Sequence, residues 1–136
     1  MPDIFVYEKI VNFYETDAAG LVHFSNYFRY LEEAEAALLE KLGFELYSKK
    51  STVVWQRNDI SCEFLGPIKF NDIVRILLHI KNIDQNLISY SFRFVVKQTE
   101  VATGKYTARK ISICPQNRTI EPIPIGNELY AAISVA

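Results

Sequence analysis

The sequence predicts an α+β domain in which an antiparallel sheet curls around one long central helix. Three observations carry that reading. One stretch alone has extended helical spacing, with Tyr27, Tyr30, Leu31, Ala34, Leu38 and Leu42 recurring on one side. Two later stretches alternate with a period of two and are joined by a short polar segment. Glycine and proline fall between these runs rather than inside them. A lone helix must bury its apolar stripe, and the half-apolar face of a sheet is the surface available for it.

The elements follow in order. Ile4 to Tyr14 is rich in β-branched and aromatic residues and reads as a first strand, ended by Glu15, Thr16 and Asp17 and the small residues Ala18, Ala19 and Gly20. From Asn26 the helical period begins, with Arg29, Glu32, Glu33, Glu35, Glu40 and Lys41 on the polar side. The helix spans about five turns. Ser25 or Asn26 can cap its start, and Gly43 can end it. Ser51 to Trp55 and Asp59 to Leu65 read as strands, broken by Gly66 and Pro67. Val74 to Ile80 and Tyr90 to Val96 form a long hairpin about the Asp84-Gln85-Asn86 turn, and Thr103-Gly104 is expected to turn the chain again into Tyr106 to Cys114. The strands after the helix are expected to run as a meander. Pro115, Pro122 and Pro124 then exclude a regular central strand, and Gly126 to Ile133 fits a short terminal helix.

At 136 residues the chain has the size of one domain, and 1–136 is read as such. Hydrophobic residues make up 49% and charged residues 23%, which is enough for a core and unlike a disordered chain. Fifteen basic and sixteen acidic residues leave a net charge of -1, with no positive field for a nucleic acid backbone or an anionic membrane. No apolar run is long enough to span a bilayer, and Met1-Pro2-Asp3 lacks the basic start of a secretory signal, so a cytoplasmic location is expected. Cys62 and Cys114 sit singly in apolar runs and read as reduced core residues. His23 and His79 are far apart, so no metal site is expected. An open sheet edge favours pairing with a second copy, hence a homodimer or a dimer of dimers.

The stretch Phe13-Tyr14-Glu15-Thr16-Asp17-Ala18-Ala19-Gly20-Leu21-Val22-His23-Phe24-Ser25-Asn26-Tyr27 sets one carboxylate just ahead of the helix. First-turn N–H groups lack intrahelical partners and carry the positive end of the dipole, so an oxyanion or polarised carbonyl is favoured there. Gly20 lets the backbone turn or approach a ligand closely.

This stretch resembles the motif of the 4-hydroxybenzoyl-CoA thioesterase family of hotdog proteins: an Asp, a small pair, a Gly, aliphatic residues, an aromatic or His, and an Asn-Tyr opening the central helix. Glu63-Phe64-Leu65-Gly66-Pro67 with Asn71-Asp72 is similar to the family's second landmark, and Arg118 to Pro124 to its tail. The resemblance implies a hydrolase acting on acyl-CoA thioesters, with Asp17 attacking the thioester carbonyl or deprotonating water. The backbone N–H near Phe24 would hold the carbonyl oxygen, and no cofactor is implied. Phe24 itself departs from the pattern, since family members place His or Tyr there, and His23 stands beside it as a candidate substrate-binding residue. The resemblance also sets Val54 and Trp55 beside the acyl pocket of the neighbouring subunit.

Each residue has a plainer reading. Asp17 could be a turn or capping Asp, and Trp55 a core or interface aromatic. Arg109, Lys110 and Lys97 could meet CoA phosphates or simply be solvated. Two other activities fit the fold: a hydroxyacyl dehydratase, whose His and acidic partner are not matched around His23, and a non-catalytic acyl-binding or scaffold protein, against which Asp17 argues. Aromatic, short and long aliphatic acyl groups all remain open, with Phe24, Tyr27 and Trp55 favouring an aryl or polyunsaturated chain.

Overall fold

The computed structural model describes residues 4–46 and 52–135, so Met1 to Asp3 and Ser51, the expected start of a strand, lie outside the described residues. Strands β1 (Phe5–Ile10), β2 (Val53–Phe64), β3 (Ile73–Ile83), β4 (Leu87–Val96), β5 (Thr99–Ile113) and β6 (Ile120–Pro122) form one antiparallel sheet. Along it the order is β1-β3-β4-β5-β2, and β6 extends the sheet beside the end of β5. Helix α1 (Phe24–Lys41) lies across one face, and α2 (Asn127–Val135) follows the last strand.

The alternation expected in the hairpin is borne out. Val74, Ile76, Leu78 and Ile80 of β3 are buried, as are Ile88, Tyr90, Phe92 and Phe94 of β4. They meet Tyr27, Tyr30, Leu31, Ala34 and Leu38 of α1 in a common core. Fully burying one such aliphatic or aromatic side chain is worth about 1.5–3 kcal/mol, and this stripe holds α1 to the sheet. The helix reaches from β1, where Glu33 accepts from Tyr7 Oη and Lys9 Nζ, to Tyr106 of β5 and Arg57 of β2.

The structure departs from the sequence expectations at several places. The first strand stops at Ile10 and not at Tyr14, because Phe13–Glu15 folds into a short 3-10 turn. Helix α1 begins at Phe24, two residues early, because His23 rather than Ser25 or Asn26 is its cap. Gly43, at φ +90°, does end it. The runs 51–55 and 59–65 are one strand, β2, with a bulge between Arg57 and Asp59. Only β3, β4 and β5 form a meander, since β2 crosses over to pair with β5 at the opposite side from β1. Cys62 and Cys114 are free but only half-buried, Cys62 packing against the edge of the core.

The turn expected at Thr103-Gly104 lies instead at Lys97-Gln98, where Lys97 adopts φ +58°. Gly104 sits inside β5 for a packing reason: a Cβ there would press on the Ser61 carbonyl oxygen and lie 2.6 Å from Phe92 Cζ.

Glu35, assigned by period to the polar side, is only 1% exposed. Its Oε1 accepts from Tyr106 Oη at 2.8 Å and Arg57 Nη2 at 3.0 Å. Burial pushes its carboxyl above the ordinary range, against the pull of Arg57 and the Tyr106 hydrogen bond.

We expect Gly104→Ala to destabilise the protein by about 1–3 kcal/mol, the usual cost of overpacking a filled site. Denaturant unfolding of the variant beside the parent measures this, and an unchanged midpoint would contradict the packing reading.

Candidate active site

The segment between β1 and α1 closes into a tight loop. Thr16 bridges Val22, and the Asp17 N–H donates to the Leu21 carbonyl at 2.7 Å. The Gly20 N–H returns to the Asp17 carbonyl at 3.0 Å, and Gly20 takes φ +80°, a conformation that glycine adopts without strain. The loop is then pinned to the β2–β3 connection, because the Val22 N–H donates to Ile68 O and Leu21 bridges Lys69.

Asp17 does what a turn aspartate does, but with one oxygen. Its Oδ1 accepts from the N–H groups of Ala19 at 2.8 Å and Leu21 at 3.2 Å. Oδ2 makes no hydrogen bond among the described residues. The side chain borders a cleft of about 510 Å³ whose other walls include Phe24, Tyr27, Phe64, Leu65 and Pro67. The Asp17 loop, the helix start and the Glu63 to Pro67 landmark thus converge on one space.

The start of α1 faces the same cleft. His23 caps the helix through Nδ1, which accepts the Ser25 N–H at 3.3 Å, and its ring stacks on that of Phe24. The Asn26 N–H donates to the His23 carbonyl. Among the described residues no acceptor takes the Phe24 N–H, which stands at the positive end of α1. The Phe24 side chain is 62% exposed. Below it Tyr27 packs edge-on to Phe64 at 4.9 Å and flat on Phe94 at 5.6 Å, giving the cleft an aromatic floor.

The expected site residues therefore divide. Asp17 and Phe24 line one cleft, Gly20 shapes its loop, and His23 acts as the helix cap. Val54 and Trp55 lie elsewhere within the chain. Trp55 borders a second cavity of about 580 Å³ with Leu39, Phe44 and Leu129. Phe24 and Leu39 are fifteen residues apart on α1, or roughly 22 Å at the helical rise.

A residue taken as part of a polar loop end proves to be buried beneath the site. Glu15 is 7% exposed, and its Oε1 accepts from the Asn12 N–H at 2.8 Å and Tyr30 Oη at 3.0 Å. Burial, with the hydrogen bond to Glu15, raises the Tyr30 pKa. The signal was present as Asn12-x-x-Glu15, the spacing of a reciprocal cap. Among the described residues no cluster of His, Cys, Asp and Glu could hold a metal ion, and no helix is long and apolar enough to cross a membrane.

The model of the thioesterase-like superfamily matches residues 11–133. A 1,4-dihydroxy-2-naphthoyl-CoA hydrolase of Synechococcus sp. (strain RCC307) is 30% identical over 131 residues, covering 92% of this chain and 98% of that protein. The solved structure of a gentisyl-coenzyme A thioesterase is 26% identical with a TM-score of 0.80, covering 94% and 98% of the two chains. The crystal structure of a hypothetical protein from Aquifex aeolicus is 29% identical with a TM-score of 0.82, covering 95% and 98%. The sheet and helix have the hotdog arrangement of these relatives.

Proposed function

The chain belongs to the thioesterase-like superfamily, and on that premise we propose that it hydrolyses an aromatic acyl thioester of coenzyme A to the free acid and CoA thiol, with Asp17 as the reacting carboxylate. One observation carries this reading: Asp17 and Phe24 line a single cleft with aromatic walls, and among the described residues neither Asp17 Oδ2 nor the Phe24 N–H has a hydrogen-bond partner. A thioester carbonyl bound there has its oxygen on the Phe24 N–H, where negative charge developing in the transition state is stabilised. Oδ2 either adds to the carbonyl carbon, expelling thiolate and leaving a mixed anhydride for water to cleave, or takes a proton from water as the water adds. Both routes end in the same acid and thiol.

The acyl group is read from the walls. Phe24, Tyr27 and Phe64 offer flat faces and edges that suit a planar ring better than a flexible chain. The naphthoyl and gentisyl substrates in the names of the relatives point the same way. With CoA as the thiol carrier, the reading keeps the protein in the cytoplasm. The 4-hydroxybenzoyl thioester is one member of this aryl class, and Phe24 in place of a polar aromatic leaves only the backbone donor at that position.

We place the acting form as a homodimer joined along β2, the twelve-residue strand that ends the sheet order among the described residues. If two copies of β2 pair antiparallel about their centres, Trp55 of one falls opposite Cys62 of the other, two residues from Phe64 in the Asp17 cleft. That would set Val54 and Trp55 beside the acyl site of the second copy. Light scattering should return a mass of at least twice 15.7 kDa, and a monomer with full turnover would end the dimer reading.

Asp17→Asn should lower CoA release on the order of a hundredfold or more, the usual worth of a general base. The amide oxygen can keep both loop hydrogen bonds, so the thermal midpoint should stay nearly constant. Turnover close to the parent's would make Asp17 a loop residue and nothing more.

Phe24→Pro tests the oxyanion donor. Proline is favoured at the first helical position, and His23, at φ -64° and ψ 138°, already has the backbone conformation that precedes proline. The fold should survive while the N–H is lost, and turnover should fall by about 10²–10³. A folded variant with undiminished kcat would place the oxyanion elsewhere.

A further inference from the structure

Glu15 stands two residues before Asp17, and every polar group it owns is engaged. Its N–H donates to the Asn12 carbonyl at 3.0 Å. Its Oε1 receives the Asn12 N–H and Tyr30 Oη, and its Oε2 lies 3.6 Å from Lys9 Nζ. Lys9 Nζ in turn lies 5.5 Å from the centre of the Tyr30 ring. The Glu15 carbonyl accepts twice from the start of α1, from the His23 N–H at 3.0 Å and Asn26 Nδ2 at 2.8 Å.

These bonds join two lines of structure. Along the chain, Glu15 leads through Thr16 to Asp17. Through its carbonyl it grips His23, whose own carbonyl is bonded covalently to the Phe24 nitrogen. Through its carboxylate it grips Tyr30, one turn beyond Asn26 on the same helix. The carboxylate and the amide assigned to the chemistry are therefore fixed to one another through a single buried residue.

We infer that Glu15 is a positioning residue for thioester hydrolysis, holding Asp17 and the Phe24 N–H at their working separation. The inference rests on the thioesterase reading above. Its physical basis is the steepness of rate with geometry: a misplacement of about 1 Å can cost roughly a hundredfold, and a supporting shell of packed, hydrogen-bonded side chains supplies the needed rigidity. A carboxylate present only for stability would lower the amount of folded protein without acting through Asp17.

The experiment follows thiol release from aryl-CoA substrates by the full chain, with kcat and KM measured separately and thermal midpoints recorded. Glu15→Gln keeps an amide oxygen for the Asn12 N–H and Tyr30 Oη, and should stay within about threefold of the parent. Glu15→Ala should lose kcat by about ten- to a hundredfold, with KM changed by less than about twofold. The deciding measurement is the double variant. In the Asp17→Asn background, with enzyme in excess and single turnovers followed, adding Glu15→Ala should cost less than about twofold, because there is no longer an Asp17 carboxylate to position. Undiminished kcat in Glu15→Ala overturns the inference, and so does a loss that multiplies in full on Asp17→Asn. Should Glu15→Ala fail to fold, Asn26→Ala removes only the helix bond to the Glu15 carbonyl. A several-fold fall in kcat at constant KM then supports positioning, and unchanged kcat refutes it. If the parent releases no thiol, the thioesterase reading falls and this inference with it; if Asp17→Asn retains turnover, the Asp17 assignment falls and the inference falls with that. With those two results as expected, an active Glu15→Ala sinks the positioning role alone.

Discussion

The ring of Tyr27 lies 5.6 Å from that of Phe94 with planes only 9° apart, and Tyr30 is fully buried beside them. This seating of the first turns of α1 on β4 is the contact from which the rest of the arrangement follows. It sets where the helix begins relative to the sheet, and so where the Phe24 N–H points. It brings Asn26 and Tyr30 within reach of Glu15, which closes the loop carrying Asp17. The same Tyr27 ring meets Phe64 at the end of β2, so one side chain supports both the core and the floor of the cleft. Stability and site geometry share the same atoms here.

Two buried carboxylates complete the seating, and they do so differently. Removing a charge from water costs several kcal/mol unless hydrogen bonds or counter-charges replace the solvent. Glu15 meets that cost with a backbone N–H, the Tyr30 hydroxyl and Lys9. Glu35 has the Tyr106 hydroxyl and Arg57 on one oxygen, while its Oε2 and the buried Tyr90 hydroxyl make no hydrogen bond among the described residues. The direction of its pKa shift reflects that incomplete compensation. Along α1 the pair ties the helix to the loop at one end and to β2 near its middle.

The order of the strands separates features that are close in sequence. Because β2 crosses over to the far side of β5, its first residues lie by the C-terminal half of α1 and its last residues by the N-terminal half. Trp55 and Phe64, nine positions apart, border different cavities. Within one chain the Asp17 cleft is therefore walled by the end of β2 and not by its start.

What the sequence determined by itself was local. Helical spacing marked α1, alternation marked β3 and β4, and the Asp17 to Tyr27 stretch, with its resemblance, placed a carboxylate at a helix start; each signal spans only a few neighbouring residues, which is the range over which periodicity and turn chemistry act. Tertiary structure decided the remainder. Gly104 reads in the sequence as a turn, but Ser61 and Phe92, brought in from neighbouring strands, make it a close approach inside β5. Glu35 reads as solvated from its place on the helical wheel, but Arg57 and Tyr106 converge on it from two other strands. Glu15 reads as the end of a strand until Tyr30 and Asn26 close over it from the helix. Trp55 is expected beside the acyl pocket of a second copy, and within one chain the course of β2 sets it at a different cavity from Asp17. In each case the deciding partner lies outside the local window, so only the folded chain brings the two together.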